Sequence, residues 1–389
     1  MVFYVYGEQM SINSTAKIIN IMYNHVPFFN SLKETAHKLG AEIYFVGGCV
    51  RDVIRGEKAY DWDIVPFNVD YVKFAHLLSK QIRATAVPFK DNMRLAKGNF
   101  VCDVSKPRGS NIYQDLLKRD FTINNLAIDL DGSLIGNPAH IEKGLIKAVH
   151  TGVFDDDPLR IMRAFRFVST LGFSIDEETY SLIKEKSHLL SLVASERITE
   201  ELRKTSAGKF VSESMKLFEK SGVLKEIFKD CTLDFNSPLG LKNISFPLWI
   251  GALAGKNAAK ALKLSSKEEK LLFKVTDNLN DAAFLHNKTY DERRTFIWKN
   301  YPFAEAIFDF AQCKFPEHQD LINESFNLIN TLFPEKAKLI SGAHLMKAGF
   351  TPGPLFGKII EEIALKLALG ELEADNINQY LINNFGGKK

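Results

Sequence analysis

IYFVGGCVRDVIRGEKAYDWDIV, residues 43–65, strings an apolar run, a glycine pair, an Arg-Asp pair and an Asp-x-Asp together in one order. The run AEIYFV, ending at Val46, has the β-branched and aromatic content of a strand. Gly47 and Gly48 follow it and open a helical stretch from Cys49 to Arg55. Glycines at such a turn let the backbone approach a phosphate, with the free N–H groups of the helix start facing the anion; a plain strand-to-helix turn uses them too. Asp61 and Asp63 lie in an extended run, where a period of two puts both carboxylates on one face. Like charges that close repel, and a hard divalent cation such as Mg²⁺ between them relieves the repulsion. An ordinary acidic loop is the plain alternative.

A third carboxylate comes from NFVCDVS, a second strand reading in which Val101, Asp103 and Ser105 share a face. An inward Asp beside a core strand needs a partner. Three carboxylates from two strands, holding paired metals, would permit in-line phosphoryl transfer.

Outward from this stretch, composition narrows the class. A chain of 389 residues is long enough for two or more domains, and a net charge of +3 argues against a highly charged disordered protein. The four cysteines (Cys49, Cys102, Cys231, Cys313) form no CxxC pair, which speaks for a reducing interior without zinc or a disulfide framework. Met1–Asn20 lacks the pattern of a leader and no apolar run approaches membrane-spanning length, so a soluble, cytoplasmic protein with no membrane partner is expected. Up to Asn137 strand and helix signals mix, including a helix over Asp70–Ile82. After Pro138 the strand signals thin out, and DPLRIMRAFRFVSTLG, DEETYSLIKEKSHLLSLV and SERITEELRKTSAGKFVSESMKLFEKSG carry helical periodicity. A small α/β head followed by a long helical body is the result.

The stretch 46–65 resembles the first signature of the class II tRNA nucleotidyltransferase and bacterial poly(A) polymerase family. The likeness continues through DLLKRDFTINNLAID, GNPAHIEKGLIKAVH, DDDPLRIMRAFRFVSTLGFSID and SERITEELRK, and returns weakly in LISGAHLMKAGFTPGPLFGKII. The resemblance implies an α+β fold: a polymerase-β-like nucleotidyltransferase head with a small mixed sheet (1–137), a helical neck that recognises the base (138–205), and a helical body and tail for tRNA (206–389). It implies that Gly47, Gly48, Arg51 and Asp52 hold the nucleoside triphosphate, and that Asp61 and Asp63 bind two Mg²⁺ ions. Asp103 stands where the family has Glu, one methylene longer. Arg119, Asp120 and Asn124 match a ribose-recognition motif, with Lys118 replacing its first arginine and losing the planar fork.

In DDPLR the family's Glu-Asp-x-x-Arg template for the incoming base maps to Asp157 and Arg160. On a helix these would share a face, and a carboxylate with a guanidinium can read a Watson–Crick edge. Asp156 replaces the Glu, and Arg163 and Arg166 continue the face towards phosphates. The plain alternative is an amphipathic helix whose arginines pair with surface acids.

Family members that complete the whole CCA end carry a long flexible segment after the third carboxylate. Here Arg108 is followed only by GSNIYQ (109–114) before DLLKRD. The shortening points to addition of two cytidines from CTP, with ATP as the further substrate of a full CCA-adding enzyme. An A-adding enzyme, a poly(A) polymerase and a non-catalytic RNA-binding protein are the other readings. Lys256, Lys260, Lys263, Lys267, Lys270 and Lys274 would form a basic stripe on one continuous helix, but SSKEE reads as a helix start that splits it. Body and tail are expected to grip the acceptor and TΨC arms of tRNA by shape. His25, His37 and His188 read as packing or surface residues, and no His-Asp dipeptide marks a phosphohydrolase domain.

Overall fold

The computed structural model describes residues 26, 28–59, 61–89, 91–241 and 245–386. The leader reading of Met1–Asn20 and the placement of His25 lie outside the described residues. The chain divides into two compact units, one ending at Ile227 and one beginning at Phe228.

The first unit is built on β1 (Glu42–Val46), β2 (Asp61–Phe67), β3 (Thr85–Phe89), β4 (Asn92–Lys97), β5 (Phe100–Ser105), β6 (Ala127–Asp129) and β7 (Leu134–Ile135). They form one sheet in the order β3-β4-β5-β2-β1-β6-β7. All neighbours are antiparallel except β2 and β5, which run parallel and set Asp63 opposite Asp103. Strand alternation gives the sheet two chemically different faces. Phe45, Trp62, Ile64, Cys102 and Val104 are fully or almost fully buried on one. Phe45 meets Trp62 edge-on at 5.5 Å and stacks at 6.3 Å on Phe29 of α1 (Phe29–Leu39). Behind the glycine turn lies α2 (Gly48–Ile54). The expected helix after β2 is α3 (Tyr71–Ile82), and Asp70 caps it by accepting from the Lys73 N–H at 2.7 Å. On the opposite sheet face Val46, Val65 and Phe67 form a core with Ile112 and Leu116 of α4 (Ile112–Leu117). That helix covers only one end of β2, so Asp61 and Asp63, on the same face, stand beyond it.

The neck begins with the short α5 (Val153–Asp156) and then α6 (Leu159–Leu171), whose Ile161, Met162, Ala164 and Phe165 are fully buried. It is followed by α7 (Glu177–Lys186), α8 (Ser195–Ser206) and α9 (Val211–Ser221). The boundary at 206 expected for the body falls inside the first unit, where α9 packs on α6. Phe218 stacks on Phe165 at 4.0 Å, and the Ser214 hydroxyl donates to the Phe165 carbonyl at 3.0 Å. These contacts carry the first unit to Ile227.

In the second unit α10 (Phe246–Ala254) is buried along its whole length. The lysine stripe is split, because α11 (Ser266–Asp277) starts with a capping box between Ser265 and Glu268. Lys267, Lys270 and Lys274 ride on that helix, while Lys256 lies before it and pairs with Asp277 at 3.1 Å. The C-terminal core joins Ile363 and Leu367 of α12 (Pro354–Ala368) to Leu381 of α13 (Ile377–Phe385). Among the described residues no helix is long and apolar enough to cross a membrane.

Gly208, between α8 and α9, is a packing constraint that the sequence did not flag. A Cβ there would lie 2.5 Å from the Ser169 carbonyl oxygen, and that oxygen already accepts the Phe210 N–H at 2.7 Å. Gly208→Ala is expected to destabilise the first unit by about 3 kcal/mol. Urea unfolding of the variant against the parent chain checks this.

Candidate active site

A cavity of about 680 Å³ opens in the first unit between the sheet and the neck helices. Gly47, Gly48, Asp63, Arg119, Asp120, Asn124, Asp157, Arg160 and Arg163 all line it. Residues scattered from position 47 to 163 are therefore brought to one space.

At its floor Gly47 has φ 74° and ψ −130°, a backbone that side-chain-bearing residues rarely adopt. A Cβ there would also come within 3.0 Å of the Arg119 guanidinium. Arg119 is held by Asp115, a buried carboxylate 2.8 Å away that also accepts the Arg108 N–H at 3.0 Å. Arg51 and Asp52 lie behind this turn rather than on the cavity wall. Arg51 donates to Asp52 at 2.9 Å and to the Asn124 side-chain oxygen at 3.0 Å. Asn124 in turn donates to Asp120 at 3.0 Å.

Asp120 joins sheet and neck. It accepts from the Phe121 N–H at 2.8 Å and from two nitrogens of Arg163, at 2.8 and 2.6 Å. Burial pushes its carboxyl up, but the Arg163 charge and the hydrogen bonds from Asn124, Arg163 and Phe121 outweigh it and hold the group well below the usual carboxylate range. Arg166, expected to continue Arg163's face towards phosphates, does not line the cavity. Its guanidinium turns into the packing of α6 on α8, 2.8 Å from Glu201 and 4.2 Å over the Phe167 ring. Burial there lowers it to about 10.

Asp157 is not on the helix with Arg160. It precedes Pro158, and proline disfavours helical backbone in the residue before it; Asp157 is accordingly extended, with φ −154° and ψ 102°. One carboxylate oxygen caps α6 through the Leu159 N–H at 3.2 Å, and the other accepts Arg197 of α8 at 2.8 Å. Arg160 donates to the carbonyls of Val153, at 3.2 Å, and Lys118, at 2.8 Å. Both side chains still face the same cavity, so the pair meets there by capping geometry instead of helical spacing.

Asp63 carries the clearest electrostatic signature. Burial, then the charges of Asp103 and Asp61, push its carboxyl up to about 6, against the opposing pull of Arg119 and Arg94. Asp61 stands at the exposed end of the same strand face. This pair suits a divalent cation, whose arrival would relieve the crowding. Asp103 is committed elsewhere: Arg94 of β4, its cross-strand neighbour, donates to both its oxygens at 2.8 and 2.7 Å. Among the described residues no group of three or more His, Cys, Asp or Glu could hold a metal ion. Arg94, Asp115, Arg197 and Glu201 were not singled out from sequence. Arg197 and Glu201 had a readable signal in their spacing along SERITEELRK, whereas Arg94 shows itself only through strand register. The short segment after Arg108 is a closed turn: Asn111 caps α4, and the Gln114 side chain accepts the Ser110 N–H at 2.9 Å.

Residues 43–144 match the family described as the poly A polymerase head domain, and residues 172–233 match that described as the probable RNA and SrmB-binding site of polymerase A. The CCA-adding enzyme of Limosilactobacillus reuteri is 30% identical over 382 residues, covering 86% of this chain and 90% of that one. The chain belongs to the tRNA nucleotidyltransferase family. A CCA-adding enzyme from Lactococcus lactis is 27% identical over 87% of this chain and 91% of its own. A CC-adding tRNA nucleotidyltransferase from Halalkalibacterium halodurans is 34% identical over 53% of this chain and 55% of its own. The solved structure of a CCA-adding enzyme with ATP shares the fold, with a TM-score of 0.76 at 23% identity, covering 95% of this chain and 98% of that one. The head-plus-helical-body architecture expected from sequence is thus that of this tRNA nucleotidyltransferase family.

The raised carboxyl of Asp63 fixes the sign of a pH effect. Unfolded, the group titrates in the ordinary Asp range; folded, it keeps its proton up to about pH 6. Its contribution to stability is present at low pH and lost as pH rises through 6. In metal-free protein Asp63→Asn should therefore stabilise the first unit at pH 8 by roughly 1–3 kcal/mol. The advantage should vanish near pH 4, as thermal melts at both pH values would record.

Proposed function

We propose that this tRNA nucleotidyltransferase adds cytidines from CTP to the 3′ end of tRNA and stops at CC. The observation that carries the chemistry is the shared cavity: Asp63 on the sheet and Asp157 with Arg160 on the neck face one space. The head (1–137) serves as the catalytic part, the neck (138–205) reads the base, and the remaining helices grip the acceptor and TΨC arms. Asp61 and Asp63 would hold two Mg²⁺ ions, which supply charge neutralisation for the triphosphate and activation of the attacking hydroxyl. The glycine turn at Gly47 and Gly48 leaves room for phosphates beside Arg119, and Arg163 adds positive charge nearby. The 3′-hydroxyl of tRNA attacks the α-phosphate and pyrophosphate leaves. Asp120 and Asn124 present their network towards the ribose, with Arg51 and Asp52 supporting it from behind. Arg166 braces Arg163's helix through Glu201.

Asp157 offers acceptors and Arg160 donors to the base edge. Arrest at CC follows from the closed turn 109–111, which ties itself to Gln114 and Asp115 and lacks the length of a mobile lever. Full CCA addition is the second reading, since the curated relatives include enzymes named for both activities.

Purified protein incubated with tRNA lacking its 3′ end, plus CTP and ATP together, should yield products ending at CC; extension to CCA would overturn the arrest. Asp61→Ala should lower incorporation by at least about a thousandfold while tRNA binding persists. Asp157→Ala should narrow the preference for CTP over UTP by about tenfold or more, with a smaller change in the KM for CTP. Unchanged discrimination in that variant would remove the base-reading role.

A further inference from the structure

Three adjacent strands place Arg94, Asp103 and Asp63 side by side across one sheet face, with Asp61 two residues along β2. Arg94 grips Asp103 with two nitrogens, one to each oxygen, at 2.8 and 2.7 Å. Its guanidinium also lies 3.7 Å from the centroid of the Phe89 ring, and its pKa is raised, first by the hydrogen bond to Asp103. A guanidinium held by a two-point fork and a ring face is fixed in orientation as an ammonium would not be.

We propose that Arg94 is a positioning residue of the carboxylate face, whose fork keeps Asp103 outside the cation's coordination shell. Divalent cations would then be held by Asp61 and Asp63 and not by Asp103. Asp103 stands as a fixed, charge-compensated neighbour of Asp63 rather than as a third ligand. The inference rests on the reading of Asp61 and Asp63 as the cation pair.

Titration of the full chain with Mn²⁺, without nucleotide and followed by the electron paramagnetic resonance of free Mn²⁺, tests it. Asp61→Asn should weaken binding at least about tenfold; if it does not, the underlying reading fails and the inference with it. The double variant Arg94→Gln with Asp103→Asn removes one positive and one negative charge, so the local net charge is unchanged. It should bind Mn²⁺ within about twofold of the parent chain, whereas a tenfold loss would make Asp103 a ligand and overturn the inference alone. Arg94→Gln by itself should tighten binding by about three- to tenfold, because a carboxylate is released beside the site. Unchanged or weaker binding would show that the fork restrains nothing. Arg94→Lys keeps the charge without the fork and should shift affinity in the same direction by a smaller factor. That variant carries the test if the glutamine variant melts early.

Discussion

The constraint on which the site depends is the burial of the Asp120 carboxylate between sheet and neck. A lone buried carboxylate would be severely unfavourable, and this one is ionised only because donors surround it. Those donors come from three places: the backbone after it, Asn124 one turn on, and Arg163 of α6. Arg163 supplies the compensating charge, so losing it would leave the carboxylate buried and unpaired, and α6 is tied to the head through this pair. Asn124 passes the constraint to Arg51 behind the glycine turn, while Glu201 steadies Arg163 and Arg166 from α8. Charge satisfaction thus ties the walls of the cavity together alongside the apolar packing of α6.

The two walls of the cavity use charge differently. On the neck side almost every arginine has a fixed partner: Arg163 on Asp120, Arg166 on Glu201, Arg197 on Asp157. On the sheet side Asp63 has none as close, and its carboxyl titrates near 6 instead of 4. Preorganised cations facing an under-compensated acid is an arrangement that gains most when a cation and a polyanion arrive together, as a metal–nucleotide complex does.

Much of this was legible in sequence because it is local. The order strand, glycine pair, helix, Asp-x-Asp strand survives intact in β1, α2 and β2, and the alternation in NFVCDVS puts Asp103 on the acidic face as read. The capping box at Ser265 broke the lysine stripe where its residues indicated. What was not legible depends on register or on proline. Arg94 meets Asp103 through the β4–β5 pairing, which no local pattern in NMRLAK encodes. Asp157 and Arg160 have helical spacing, yet Pro158 moves Asp157 off the helix. The boundary at 206 came with the resemblance and falls inside the first unit, because the Phe165–Phe218 stack, between residues distant in sequence, carries that unit past it.

That displacement of Asp157 bears on how a protein could read a base. Two groups on one rigid helix would move together, and their separation would be set by helical rise alone. Here Asp157 is fixed by the cap of α6 and by Arg197 of a different helix, while Arg160 is fixed by carbonyls of Lys118 and Val153. The acceptor and the donor thus share α6 but each has a further support of its own, Arg197 for Asp157 and the carbonyls of Lys118 and Val153 for Arg160, and changing the base they select would require those supports to shift relative to one another. The carbonyl of Lys118 immediately follows α4, whose start is tied by Asn111 and Gln114. A short, hydrogen-bonded turn at that point anchors the support under Arg160. On the proposed reading, the turn steadies α4, and α4 leads into the Lys118 carbonyl that holds the donor in its cytidine-reading position, so a longer insertion there would loosen that support.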